Sequence, residues 1–141
     1  MWQVATTDEF DSWFADLADD GQTEVIAKVQ LLKFFGPKLG RPYADTLKGS
    51  KHANMKELRA DTAAQVLRVA FAFDPERHGI LLVGGDKSGA AKKRFYKQLI
   101  AKADALFDAY LLRLKAIRAK QNIAKEREKG KRIGKRKDRG E

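Results

Sequence analysis

The segment Gln65–Asp74 constrains the fold of this chain more than any other. Leu67, Val69, Phe71 and Phe73 alternate with Val66, Arg68, Ala70 and Ala72, which is the two-residue period of a β-strand with unlike sides. The bulky side is predicted to pack on helices. The small side, with Arg68 at its centre, is predicted to remain accessible. Met55–Ala60 supplies a partner strand across Asp61-Thr62-Ala63-Ala64, and antiparallel pairing would bring Arg59 and Arg68 to the same open side. Ile80–Gly84 follows as a third strand after the turn Asp74-Pro75-Glu76-Arg77-His78-Gly79.

Helical spacing brackets these strands. After a short strand at Trp2–Thr6, Thr7 is placed to cap a helix with Asp8 and Glu9 at its positive end. Phe10, Trp13, Phe14 and Leu17 form its core stripe, and Asp20-Gly21 is expected to break it. A second helix is predicted from about Gln22 to Phe35, stopped by Gly36-Pro37. The polar stretch Gly40 to Asn54 is long for a structureless loop, which makes it a candidate binding loop. A last, long helix carries Leu99, Ala103, Leu106, Tyr110, Leu114 and Ile117 at steps of three and four. Its stripe ends near Gln121, and Gly130 and Gly134 interrupt a charge run beyond it. The resulting order β-α-α-β-β-β-α describes a small α+β domain, an antiparallel sheet with helices on one face. The expected boundaries are a domain over 1–118 and a basic, disordered tail over 119–141.

Charge divides the chain in the same way. Of the formal net charge of +10, the stretch Arg113–Glu141 carries 13 Lys/Arg against four Asp/Glu, whereas the first 112 residues are nearly balanced. Such a tail is attracted to any polyanion. Within the domain, residues 8–24 hold seven acidic residues and no basic one, while residues 25–72 hold nine Lys/Arg against three acids. A phosphate-binding surface is therefore sought in the second region. The chain has no cysteine and only His52 and His78 as histidines, which removes disulfides, thiolate metal sites and cysteine nucleophiles and leaves little room for zinc. No apolar run approaches the roughly 20 residues of a membrane span. The start Met1-Trp2-Gln3-Val4 turns acidic without a secretory pattern, and a cytoplasmic location is expected.

Several enzyme classes lose support. Gly84-Gly85-Asp86-Lys87-Ser88-Gly89 lacks the glycine-to-lysine spacing of a nucleotide-binding phosphate loop and reads as a turn in which Asp86 or Ser88 caps the next helix. There is no His-Glu-x-x-His, calcium loop or Gly-x-Ser-x-Gly elbow. What remains is Lys51, His52, Arg59, Arg68, Lys87 and Tyr96 around strands and loops. Cleavage of RNA without a metal or other cofactor needs a group to take a proton from the ribose 2′-OH. It also needs cations to stabilise charge on phosphorus and a donor for the departing 5′-oxygen. Read from composition alone, the chain stops at a basic α+β domain suited to binding RNA.

Leu39-Gly40-Arg41-Pro42-Tyr43-Ala44-Asp45-Thr46-Leu47-Lys48-Gly49-Ser50-Lys51-His52 and Met55-Lys56-Glu57-Leu58-Arg59 resemble blocks of the phage-derived HigB branch of the RelE/ParE toxin superfamily. So do Arg68-Val69-Ala70-Phe71-Ala72-Phe73-Asp74-Pro75, Gly84-Gly85-Asp86-Lys87 and Arg94-Phe95-Tyr96. The blocks keep the family's order over roughly residues 1–112. The resemblance implies a compact RelE-like fold with two N-terminal helices, a small antiparallel sheet and a long C-terminal helix. It implies a type II toxin that cleaves mRNA on the ribosome and is restrained by a helix-turn-helix antitoxin. Arg59 matches the family's strand-end arginine, Lys87 the cation after the last strand and Tyr96 the tyrosine of the last helix. Lys51 and His52 match the basic approach that supplies base or acid. Arg68, Lys48, Lys56, Lys92 and Lys93 are the further cations expected to meet RNA. The histidine-rich C-terminal site of some HigB toxins is absent, and the lysine-rich extension is longer than the compact domain needs. The alternatives are a non-enzymatic nucleic-acid-binding regulator and a gyrase-inhibiting toxin of ParE type on the same fold.

Overall fold

The computed structural model describes residues 1–89 and 91–139, with side chains described as far as residue 131. Its elements are β1 (Gln3–Thr6), α1 (Asp8–Ala15), α2 (Asp19–Phe35), a 3₁₀ turn (Gly36–Lys38), β2 (Ala44–Thr46), β3 (Lys56–Asp61), β4 (Val66–Phe73), β5 (His78–Asp86) and α3 (Lys92–Arg139). Residues Met1–Phe107 form one compact unit and a second begins at Asp108. Among the described residues no helix is long and apolar enough to cross a membrane.

The five strands form one sheet in the order β1-β5-β4-β3-β2. Its β5-β4-β3-β2 part is antiparallel, as the strand pattern predicts, but β1 joins β5 in parallel, so the sheet is mixed. That pairing joins residues some 75 positions apart, Gln3 with His78 and Thr6 with Leu81, which local periodicity cannot reveal. Thr7 then caps α1: its hydroxyl accepts from Phe10 N at 3.0 Å and donates to the Leu82 carbonyl, so one side chain ends the strand and starts the helix.

Several boundaries differ from the sequence reading, β5 among them, which spans His78–Asp86 and so takes in the double glycine. The break between α1 and α2 falls at Asp16–Ala18, and Gly21 lies buried inside α2 beside Leu67 and Leu17. The stretch 40–54 is not structureless, because Ala44–Thr46 pairs with Lys56–Leu58 as an edge strand. α3 continues past Gln121 to Arg139, since Ala, Lys, Arg, Glu and Gln sustain a helix without an apolar stripe. Isolated glycines within it are tolerated.

The phase of β4 is as read, with Leu67, Val69, Phe71 and Phe73 facing a core with Phe10, Val25, Leu32, Leu58 and Leu81. The opposite face is not open. Arg68, Ala70 and Ala72 are buried there, as are Leu99, Ala103 and Phe107 from the start of α3. Helices therefore cover both faces, and the small residues of β4 make room for α3. The double glycine of β5 serves this packing. A side chain at Gly84 would collide with the Trp13 ring of α1, and one at Gly85 would meet Phe95 of α3 at 2.9 Å.

Candidate functional site

The site grows from the register of β3 and β4. Arg59 lies directly opposite Arg68, an arrangement that is destabilising unless anions separate the charges. Three carboxylates supply them. Glu57 Oε1 accepts from Arg59 Nε at 3.1 Å and lies 3.4 Å from Arg68 Nε. Asp61 holds Arg68 Nη1 at 2.6 Å, and the Leu67 carbonyl accepts from the same nitrogen at 2.8 Å. Asp45, on β2, accepts from Arg59 Nη2 at 3.3 Å and from Arg41 Nε at 2.9 Å.

α3 closes the cluster. Tyr96 donates its hydroxyl proton to Glu57 Oε1 at 3.1 Å, and Lys87 Nζ stands 5.4 Å from the centre of the Tyr96 ring. Lys87 is placed by its own turn: its backbone N–H donates to the Val66 carbonyl, while Asp86 accepts from Val66 N and from Ser88. Asp86 thus ties β5 to β4 and does not cap the following helix. A cleft of about 360 Å³ opens beside these groups, lined among others by Arg41, Lys48, Glu57, Arg59, Lys92 and Tyr96.

Protonation follows from this packing. Burial, reinforced by the Glu57 carboxylate, raises the Tyr96 pKa above that of an ordinary phenol, so the hydroxyl stays a donor at neutral pH. Burial also lowers the Lys87 pKa, and the nearby Arg68 charge adds to the effect. The backbone N–H of Thr46 holds the Asp45 carboxyl below its usual value against the effect of burial, helped by Arg41 and Arg59. Burial opposes the charge on Arg68, but hydrogen bonding to Asp61 and Tyr96 outweighs it and raises the pKa. Arg68 therefore stays a buried cation.

The sequence-derived candidates separate into groups. Arg59, Tyr96 and Lys92 meet at the cleft with the exposed Lys48, and Lys87 stands over Tyr96. Arg68 is 6% exposed and committed to carboxylates, beneath the surface of the cleft. Lys51 and His52 lie farther along α3: Lys51 N donates to Asp104 at 3.2 Å, and the His52 ring meets Phe107 edge-on at 4.9 Å. Those helix positions are about 12 and 16 Å along the axis from Tyr96. Lys56 points to the other side of β3 and donates to the Pro37 carbonyl at 3.1 Å, and Lys93 is exposed at the start of α3. Glu57, Asp45 and Arg41 were missed as site residues. An acid inside a basic segment reads as a surface charge, although the Glu57/Arg59 spacing, which puts both on one strand face, was available.

One group among the described residues has metal-ligating types close together. Ligand atoms of Asp74, Glu76 and His78 lie within 4.8 Å of one another in the β4–β5 turn. Asp74 Oδ1 accepts from the backbone N–H groups of Glu76 and His78 there, and Oδ2 lies 3.3 Å from His78 Nδ1, so this carboxylate shapes the turn.

Residues 12–108 match the family described as phage-derived protein Gp49-like. The chain is 43% identical over 103 residues to "Putative toxin HigB3" of Mycobacterium tuberculosis, covering 73% of this chain and 88% of that one. It is 35% identical over 124 residues to "Putative toxin HigB2" of the same organism, covering 87% of this chain and 61% of the relative. In architecture it is similar to a substituted E. coli toxin RelE in the free state, with a TM-score of 0.52 at 10% identity, covering 72% of this chain and 95% of that one. That likeness concerns the fold.

Proposed function

Because the chain belongs to the phage-derived Gp49-like family, and is a HigB-like member of the RelE/ParE toxin superfamily, we propose that it is the toxin of a type II toxin–antitoxin system. Its reaction is ribosome-dependent, metal-independent cleavage of mRNA in the cytoplasm, and its restraint is a cognate helix-turn-helix antitoxin. The observation that carries this reading is the meeting of Arg59, Tyr96 and Lys87 around Glu57, beside a cleft rimmed by Arg41, Lys48 and Lys92. All of these groups lie within the family match.

The chemistry follows from the donors. A guanidinium has five N–H groups. Glu57 and Asp45 occupy Nε and one position on Nη2 of Arg59, and the remaining donors bind the scissile phosphate. As the ribose 2′-oxygen gives up its proton to solvent water and forms its bond to phosphorus, while the bond from phosphorus to the 5′-oxygen breaks, negative charge grows on the phosphoryl oxygens, and Arg59 and Lys87 stabilise it. Lys87 also gives a proton to the departing 5′-oxygen, a task helped by burial, which lowers its pKa below that of an ordinary lysine. Tyr96 orients the nucleotide at the cut. Lys48, Lys92 and Lys93 guide the RNA backbone. Lys51 and His52 serve the approach of ribosome-bound RNA along α3, and Arg68 keeps the catalytic face assembled from beneath.

The test uses purified protein with mRNA on programmed ribosomes and, separately, the same mRNA free. The expected result is cutting of ribosome-bound mRNA alone, with 2′,3′-cyclic phosphate on the upstream fragment and 5′-OH on the downstream one. Downstream fragments bearing 5′-phosphate would overturn attack by the 2′-OH, and intact mRNA in both arms would overturn the nuclease reading.

A further inference from the structure

We propose that Glu57 is the positioning residue of this reaction, a buried carboxylate that holds the Arg59 guanidinium for the scissile phosphate and the Tyr96 side chain for the nucleotide beside it. The inference rests on the ribonuclease reading above.

Glu57 is 3% exposed. A buried carboxylate costs free energy, and replacing a buried ionic cluster by apolar residues of similar size is often neutral or stabilising. Its same-face neighbours include the fully buried Ala70 and Ala72, so an apolar side chain would suit the location. What an apolar side chain could not do is hold two donors at once. Glu57 Oε1 takes Arg59 Nε and the Tyr96 hydroxyl, each at 3.1 Å, from a strand and a helix that meet only through the fold. One oxygen atom thereby sets the spacing between the group that binds the phosphate and the group that orients the nucleotide. Misplacement of such groups by about 1 Å can cost roughly 10² in rate.

The two anchors of Arg59 are unlike. Asp45 sits at the cleft rim with its side chain 25% exposed, where water or a phosphate can replace it, whereas the Glu57 side chain is 4% exposed. Arg68 completes the arrangement without competing for it. Its Nη1 is bonded to Asp61 and the Leu67 carbonyl, and its Nε approaches Glu57 at 3.4 Å without making a hydrogen bond. It balances the charge and leaves Oε1 to Arg59 and Tyr96. Because Glu57 acts through these two side chains, its removal is expected to slow the chemical step more than it weakens binding.

The variants are Glu57→Gln, which keeps shape and removes charge, and Glu57→Asp, which keeps charge and shortens reach. In single-turnover cleavage on programmed ribosomes, both are expected to lower kcat by about 100-fold with KM within about threefold. A second readout needs no activity: the ultraviolet tyrosinate titration of Tyr96, isolated by difference from Tyr96→Phe. The phenol should ionise at lower pH in Glu57→Gln, because the opposing carboxylate charge is gone. If Glu57→Gln does not fold, Glu57→Asp decides the matter by its rate. Cleavage by the folded variants at near the wild-type rate, a loss confined to KM, or an unmoved tyrosinate titration would each overturn the proposal. Wild-type protein that leaves ribosome-bound mRNA intact would overturn the ribonuclease reading and this role with it, whereas a wild-type rate in the variants alone would overturn only the role of Glu57.

Discussion

On the side of the sheet that meets α1 and α2, Leu58, Leu67, Val69, Phe71 and Leu81 are all buried and none carries charge. On the side that meets α3, the same strands present the small Ala70 and Ala72 together with Glu57, which pairs with Ala70, and the opposed Arg59 and Arg68. Alternate residues of β3 and β4 thus serve two purposes, and a shift of one register position would exchange them. The first face supplies apolar burial, which depends on volume and tolerates no water. The second holds charges whose spacing is fixed by carboxylates, and it surrenders some apolar area to do so. Such a division lets the charged face carry opposed arginines while the other face buries the apolar side chains that stabilise the fold.

The comparison can be broken most severely from the apolar side. Phe71→Ala is expected to cost about 3–5 kcal/mol of stability through the cavity it leaves, measured by urea denaturation, while the surviving folded fraction retains cleavage. From the charged side, Arg59→Ala is expected to lower the cleavage rate by about 10²–10³ with a much smaller stability loss than Phe71→Ala. If both variants lost stability and rate in parallel, the two faces would not be separable in this way.

A smaller effect sharpens the roles within the charged face. The lowered Lys87 pKa means that proton donation fails as pH rises through a value below that of an ordinary lysine. Cleavage should therefore decline on the alkaline side earlier than a free lysine would dictate. Lys87→Arg keeps the positive charge but cannot give up a proton near neutrality. It should lower kcat by about 10²-fold or more and abolish that alkaline decline, as read from pH–rate profiles on programmed ribosomes. An unchanged profile would remove Lys87 from proton transfer.

The smallest effect concerns the basic extension. Single-stranded RNA binding should weaken with salt at a log–log slope of about −0.7 per phosphate neutralised. Deleting residues 119–141, which hold most of the cations of that extension, should flatten the slope. A slope that does not change would show that the extension makes no phosphate contacts.

Much of this architecture was legible in the sequence because it is local or periodic. The alternation of β4 fixed which residues face α1 and α2, Thr7 and its acidic neighbours marked the start of α1, and the hairpin turn at 61–65 put Arg59 opposite Arg68. The parallel β1–β5 pair was not legible, since nothing in four residues states which distant edge they join. β2 was hidden for a related reason: Ala44-Asp45-Thr46 is too short to show a period. The accessible face assigned to Arg68 was wrong because small residues beside a strand arginine fit a covering helix as well as they fit solvent. Glu57 was passed over because its partner Tyr96 lies 39 positions away, and only the fold brings the two together. Lys51 and His52 were assigned to the basic approach by the family resemblance, and their loop turns towards Asp104 and Phe107.

The central claim is that this face of the sheet cuts translated mRNA and that Arg59 is part of the cutting group. The most direct test maps RNA 5′ ends across the transcriptome after brief induction of the wild-type protein and of Arg59→Ala. The account predicts new ends within translated frames that disappear in the Arg59→Ala sample. Growth arrest without new ends, or the same ends produced by both proteins, would contradict it.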